Sequence, residues 1–244
     1  MAKRIVIASG KGGVGKSTTA AFLGMRLAAR GKKTLLIDCD AGLGSLDLLL
    51  PPAADTAYHW LDAVNGACTP ADATIPLYSG LFLLRAPAVR PEDAPETCLK
   101  ELAETLDGDY DFILLDAPAG LGSGLKRAAL AADTALIIAT PDEVSVQGAG
   151  KADALLREYG VTETRLIINR YDAKTAKKGR QLAIDSAIDK TCVQLIGVVP
   201  EDPVLKTVSV TRKFKVTAKG IQAFDRIARR LQGENVLLTL SLLK

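Results

Sequence analysis

Residues Gly10-Lys11-Gly12-Gly13-Val14-Gly15-Lys16-Ser17 follow directly on the apolar run Ile5–Ala8. Their spacing is that of a phosphate-binding loop, G-x-x-x-x-G-K-[ST]. Glycines let successive backbone N–H groups close around phosphate oxygens. Lys16 reaches the terminal phosphates of a nucleoside triphosphate, and the Ser17 hydroxyl can hold Mg²⁺. A helix starting near Lys16 turns its positive end toward the anion. A second lysine, Lys11, stands inside the loop and has no task in that scheme. Gly10, Gly12 and Gly15 also spell G-x-G-x-x-G, with Asp38 about twenty residues on, the layout of a dinucleotide site. That reading leaves the Lys16-Ser17 pair unused and is disfavoured.

A triphosphate with Mg²⁺ needs carboxylates opposite the loop. Asp116 follows the apolar run Phe112–Leu115, so it stands at a strand end where an acid anchors Mg²⁺, often through water. Asp38 and Asp40 follow Thr34–Ile37 in the same way. Like charges gathered at one edge repel unless a cation or a positioned water relieves them. Capping of nearby helices is the plainer alternative for all three acids.

The elements that must position these groups alternate. Ile5–Ala8, Thr34–Ile37, Leu81–Leu84, Phe112–Leu115, Ala135–Ile138, Leu166–Ile168 and Leu195–Val199 are unbroken apolar runs, as in strands buried on both faces. Helical stretches between them imply right-handed β-α-β crossovers. The expected fold is a single α/β P-loop NTPase domain, a mostly parallel twisted sheet of about seven or eight strands with helices on both faces. A first helix is expected over Lys16–Arg30, stopped at Gly31. A last helix is expected over Lys219–Leu231, with Ile221, Phe224, Ile227, Ala228 and Leu231 on one face. Arg226, Arg229 and Arg230 fall elsewhere on it and read as a solvated face. The domain is taken as residues 1–232, followed by a leucine-rich tail, 233–244. Pro51–Thr56 and Ala86–Pro95 read as surface loops.

Composition sets limits. A chain of 244 residues, 48% hydrophobic and 24% charged, can build one ample core. A net charge of +3 does not demand a nucleic-acid partner. Cys39, Cys68, Cys98 and Cys192 include no C-x-x-C pair for zinc or an iron–sulfur cluster within one chain, and read as reduced thiols. No stretch approaches the ~20 apolar residues of a membrane span. The N-terminus shows no signal-peptide pattern.

Three stretches taken together resemble a known family. They are Lys11–Ser17, Asp38-Cys39-Asp40-Ala41-Gly42-Leu43-Gly44-Ser45-Leu46-Asp47, and Asp116-Ala117-Pro118-Ala119-Gly120. The family is the MinD/ParA group of deviant Walker A ATPases, and the likeness is strongest to its MinD branch. Asn169-Arg170-Tyr171 and Gly197–Asp202 extend it, so that it covers residues 2–231.

The resemblance implies an ATPase switch that dimerises with ATP and Mg²⁺, is slow without a partner, and takes part in placing the division site. Lys11 would cross a face-to-face homodimer to the other protomer's phosphates, in the manner of an arginine finger. Lys16 would be the ordinary loop lysine. Gly10, Gly12, Gly13, Val14 and Gly15 would surround the phosphates, with Thr18 on one of them and Ser17 on Mg²⁺. Asp40 would position the attacking water, with Asp38 beside it in the catalytic and metal-binding set. Asp116 would anchor the Mg²⁺ shell, and Asn169, Arg170 and the Pro200 loop would hold adenine. A cytoplasmic location, a MinE-like activator and weak contact with the inner face of the membrane are further implications. The alternative is a ParA-like partition or cargo-positioning ATPase that binds DNA or a protein; the near-neutral composition disfavours DNA.

The tail departs from the family pattern. A basic amphipathic helix is expected there, but Glu234–Lys244 holds one lysine and no aromatic residue. Val236, Leu238, Leu240 and Leu242 share a face only as an extended strand. Such a tail would bind a membrane weakly, or pack on the domain, or pair with another chain. Lys174, Lys177, Lys178 and Arg180 form a basic cluster that reads as a solvated loop. His59 and Trp60 receive no role.

Overall fold

Successive residues of the first strand point to opposite sides, and both sides are covered. Ile5 and Ile7 face one apolar cluster, Val6 and Ala8 the other. Double burial is why the inner strands read as unbroken apolar runs. The computed structural model describes residues 1–42, 44–50, 57–78, 80–89, 91, 94–206 and 216–238. Its strands are β1 (Lys3–Ala8), β2 (Thr34–Asp38), β3 (Thr74–Tyr78), β4 (Leu81–Leu84), β5 (Phe112–Asp116), β6 (Thr134–Ala139), β7 (Glu163–Tyr171) and β8 (Leu195–Pro200). They form one eight-stranded sheet in the order β3-β4-β2-β5-β1-β6-β7-β8. Every pairing is parallel except β3 with β4.

Strand β3 is the one that no apolar run announces. It is short, carries Pro76 and is only partly buried. Proline cannot donate to a ladder and is tolerated at an edge, where this strand lies.

The described helices are α1 (Lys16–Ala29), α2 (Ser45–Leu49), α3 (Trp60–Val64), α4 (Pro70–Ala73), α5 (Cys98–Thr105), α6 (Ser123–Leu130), α7 (Glu143–Glu158), α8 (Ala173–Lys177), α9 (Ile184–Thr191) and α10 (Lys219–Leu231). Helices α1 and α10 cover one face, where Phe22 stacks on Phe224 with ring centroids 5.7 Å apart. Helices α5, α6, α7 and α9 cover the other. Helix α1 ends as expected, with Gly31 left-handed at φ 78° just beyond it.

The arginines of α10 need a correction. None of Arg226, Arg229 and Arg230 is fully exposed. The chain after Gly233 turns back over Arg229 and Arg230 and supplies acceptors. Arg230 donates to the carbonyls of Ile196, Val236 and Leu237 at 2.8, 2.9 and 3.0 Å. Glu234 accepts from Arg229 and from Arg30, the residue just past α1. The tail is thus tied to the domain through residues 234–237 and is not helical there. Residues 239–244 and Pro51–Thr56 lie outside the described residues.

Candidate functional site

The order β2-β5-β1-β6 brings four strand ends side by side at the carboxyl edge of the sheet. Ligands of such sheets bind there. Ile7 of β1 stands opposite Asp116 of β5, and Asp116 opposite Asp38 of β2. The Gly10–Ser17 loop leaves β1 and enters α1 at this edge. Gly13 and Gly15 are left-handed, at φ 75° and 97°, a conformation that side chains resist. A Cβ on Gly10 would lie 2.1 Å from the carbonyl oxygen of Gly148, so a glycine is needed for the loop to pack on α7. The Ser9 hydroxyl donates to the Lys11 carbonyl at 2.8 Å and braces the turn.

Lys16 and Asp116 are buried, at 7% and 0% exposure. Burial lowers the Lys16 pKa, which Asp116 and Asp40 partly offset. Burial, then repulsion from Asp38, pushes the Asp116 carboxyl up to about 7; the nearby Ser17 hydroxyl and Lys16 oppose this. Among the described residues neither Asp116 oxygen finds a hydrogen bond of ordinary geometry. Asp38 is also pushed by burial, to about 6. Its oxygens, however, accept the N–H groups of Asp40 and Leu46, at 3.0 and 3.1 Å. Asp40 lines a cavity of about 440 Å³ with Cys39, Pro118, Ala119 and Arg127. An unpaired buried carboxylate beside a serine hydroxyl suits a hard cation with oxygen ligands, and Mg²⁺ fits that donor set. Ser17 and Asp116 are the residues that would hold it.

Two participants escaped the sequence reading. Asp142, at the N-terminus of α7, accepts Lys11 Nζ at 3.2 Å. It also accepts Thr140 Oγ1 at 2.6 Å and the Ser145 N–H at 3.0 Å. Burial raises its pKa, but these three donors outweigh it and the net shift is downward. Its signal is positional, an acid just past β6, the strand beside β1. Trp60, fully buried, donates from Nε1 to the Asp38 carbonyl at 2.9 Å and backs the Asp38–Asp40 turn.

On the other side of the loop an open cleft of about 620 Å³ is lined by Lys11, Gly12, Gly13, Val14, Arg170, Arg180 and Glu201, among others. Pro200 ends β8 opposite Tyr171. Asn169 lies under the loop rather than along the cleft, and its Nδ2 donates to Val14. Lys174, Lys177, Lys178 and Arg180 are exposed on and after α8.

A loop of this pattern between the first strand and first helix, with an acid ending the neighbouring strand, defines a P-loop NTPase. A family model described as "ParA: NUBPL iron-transfer P-loop NTPase" matches residues 1–231. The septum site-determining protein MinD of Synechocystis is 35% identical over 244 residues, spanning 97% of this chain and 91% of that protein. MinD in the MinC:MinD cell division complex of Aquifex aeolicus superposes with a TM-score of 0.87 at 34% identity, covering 98% of each chain. MinD of Pyrococcus horikoshii, complexed with Mg-ADP, gives 0.84 at 32% identity, covering 95% of this chain and 96% of that one. The chain belongs to the ParA/MinD family of P-loop NTPases. Among the described residues no helix is long and apolar enough to cross a membrane.

Proposed function

We propose that this chain binds ATP with Mg²⁺ between the Gly10–Ser17 loop and Asp116, dimerises in that state, and hydrolyses the nucleotide in a cycle that helps place the division site. The observation that carries this reading is Asp116, fully buried beside Ser17 and Lys16, with no hydrogen bond of ordinary geometry to either oxygen among the described residues. A buried carboxylate of that kind costs stability until a cation completes it. The bound Mg²⁺ supplies charge neutralisation to the phosphates.

In this reading Lys16 and the loop N–H groups grip the phosphates, with Thr18 on one of them. Asp40 orients the attacking water from its cavity, and Asp38 fixes Asp40 through its N–H. Arg170 and the Pro200 turn stand on the base side of the cleft. Lys11 leaves Asp142 and reaches the triphosphate of the other protomer, where a cation supplied in trans can be worth about 10³–10⁵ in rate. Without a partner protein the reaction stays slow in this reading. The names of the relatives support the division role, and the MinC:MinD complex of Aquifex aeolicus supports a protein partner. The protein would be cytoplasmic, with any membrane contact peripheral.

Sedimentation and ATP hydrolysis across a concentration series, with ATP or ADP, test the proposal. A dimer is expected only with ATP, and specific activity should rise with concentration. Lys11→Ala should remove the rise and keep nucleotide binding. A strict monomer under ATP with constant specific activity would reject the dimer mechanism. Co-sedimentation with DNA, absent with anionic vesicles, would shift the reading to a partition ATPase.

A further inference from the structure

At the end of β7 the pairing with β8 slips. Ile168 stands opposite Val198, but Tyr171 stands opposite Pro200, so β7 accommodates one extra residue. Arg170, exposed on the cleft that Gly12, Gly13 and Val14 also line, takes a φ of 58°. That left-handed conformation is unfavourable outside glycine. Strain of this sort persists where the surroundings hold it.

A side chain eleven residues further on does the holding. On the β8 side, the Glu201 N–H donates to the Tyr171 carbonyl at 2.9 Å. On the other side no strand is left to pair with, because β6 ends at Ala139, opposite Ile168. Gln181 takes its place. Its Nε2 donates to the Arg170 carbonyl at 3.2 Å, and its Oε1 accepts the Asp172 N–H at 2.9 Å. One side-chain amide thereby does what a peptide of a neighbouring parallel strand would do. The Arg170 N–H is engaged as well, with Asn169 Oδ1 at 3.0 Å. The backbone of Arg170 is therefore pinned on both of its polar groups.

Gln181 is itself held. It follows Gly179, left-handed at φ 68°, and the next N–H, of Leu182, donates to the Pro141 carbonyl at 3.0 Å. Pro141 lies beside Asp142, the acceptor of Lys11. The brace thus hangs from the turn between β6 and α7, not from the exposed lysines of α8. Backbone φ decides where a side chain leaves the chain, so a relaxed Arg170 would carry its guanidinium off the cleft wall.

We infer that Gln181 is a positioning residue: it keeps Arg170 strained so that the guanidinium faces the nucleoside end of a bound nucleotide. The inference rests on the proposal that the Gly10–Ser17 loop binds a nucleoside triphosphate. A guanidinium suits that end, because it stacks on flat rings and donates to their acceptors. The phosphates lie in the loop and do not depend on the brace.

Calorimetric titration of the full chain with Mg²⁺-ATP and with Mg²⁺-tripolyphosphate tests it. The proteins are wild type, Gln181→Met, Arg170→Ala and the double variant. Methionine keeps the length of glutamine but has no N–H and only a weak acceptor. Gln181→Asn keeps the amide but is too short to span both groups, so it carries the test should methionine disturb the segment. Either variant should weaken ATP binding about three- to tenfold, the worth of one or two hydrogen bonds, and leave tripolyphosphate within about twofold. In the Arg170→Ala background the same substitution should change ATP affinity by less than about twofold, since the group it positions is gone. If tripolyphosphate binds too weakly to titrate, the double-variant comparison decides alone. Equal losses for both ligands would make Gln181 a support of the loop and overturn the inference. So would full additivity in the double variant, or unchanged ATP affinity. A wild-type protein that does not bind Mg²⁺-ATP would instead reject the triphosphate reading itself.

Discussion

Asp38 and Asp116 end adjacent strands, stand opposite each other in register, and are almost equally hidden, at 2% and 0% exposure. Their surroundings differ in one respect. Asp38 accepts two backbone N–H groups, from Asp40 and Leu46, and so organises the turn that follows it. Asp116 accepts no ordinary hydrogen bond from the described residues and faces Ser17 and Lys16. In the proposed reading one carboxylate serves the fold of its own chain, and the other is available to a bound cation. Burial and strand position are thus not enough to tell a structural acid from a ligand-binding one. What the oxygens already hold decides it.

The sharpest way to break this contrast is to neutralise each acid without changing its shape. Asp116→Asn should weaken Mg²⁺-dependent nucleotide binding by about 10–100-fold or more, while the nucleotide-free protein unfolds at the same temperature or higher. Asp38→Asn should do the reverse, costing about 1–3 kcal/mol of nucleotide-free stability with a smaller effect on Mg²⁺ dependence. Thermal unfolding with and without Mg²⁺-ATP separates the two. If both variants behave alike, the division of roles is wrong.

Asp40→Ala tests whether the turn built by Asp38 has a catalytic purpose. Binding should persist within a few-fold, and hydrolysis should fall by about 10²-fold or more, leaving an ATP-bound dimer. Single-turnover hydrolysis beside equilibrium binding gives both numbers. Parental hydrolysis would move water positioning to another residue, Asp38 first.

The contrast also has a pH signature. In the nucleotide-free protein both carboxyls keep their protons to higher pH than in the unfolded chain, about 6 for Asp38 and about 7 for Asp116 against an ordinary 3.8. The folded state therefore binds more protons, and stability is highest below the ordinary value and is lost as pH rises through about 6 to 7. Denaturant unfolding in a chelator should show a decline of on the order of a few kcal/mol between pH 4 and pH 7.5. Asp116→Asn should reduce it to the share that Asp38 contributes, and Mg²⁺-ATP should counter it in the wild type.

The smallest effect is expected at the Lys11–Asp142 pair, whose side chains are 43% and 44% exposed. A pair so accessible contributes about 0–1 kcal/mol. Asp142→Ala should accordingly shift ATP-dependent dimerisation to lower protein concentration by no more than about five-fold. Sedimentation at several concentrations reads this. A weaker dimer in the variant would mean that Asp142 serves the dimer rather than restraining Lys11.

Much of this was legible in the chain itself. The Gly10–Ser17 pattern, the acids after the Thr34–Ile37 and Phe112–Leu115 runs, and the helix that starts at Lys16 and stops before Gly31 are local signals, and the fold reproduces them. Strand β3 was not legible, because Pro76 and a half-exposed edge leave no apolar run to detect. Asp142 was missed because its partner Lys11 is 131 residues away; only the order of β6 beside β1 brings them together. The arginines of α10 were misread for a similar reason. Helical periodicity places them opposite the core, but it cannot foresee that the returning chain brings carbonyls to Arg230 and Glu234 to Arg229.

Trp60 is the single tryptophan of the chain, and its indole nitrogen rests on the carbonyl of Asp38. The protein therefore contains its own optical gauge. Excitation that tyrosine does not absorb reports from one place only, directly behind the Asp38–Asp40 turn. Any rearrangement of that turn during the nucleotide cycle changes the polarity around one indole and shifts its emission, with no label attached. Stopped-flow mixing can then time the turn's movement separately from phosphate release.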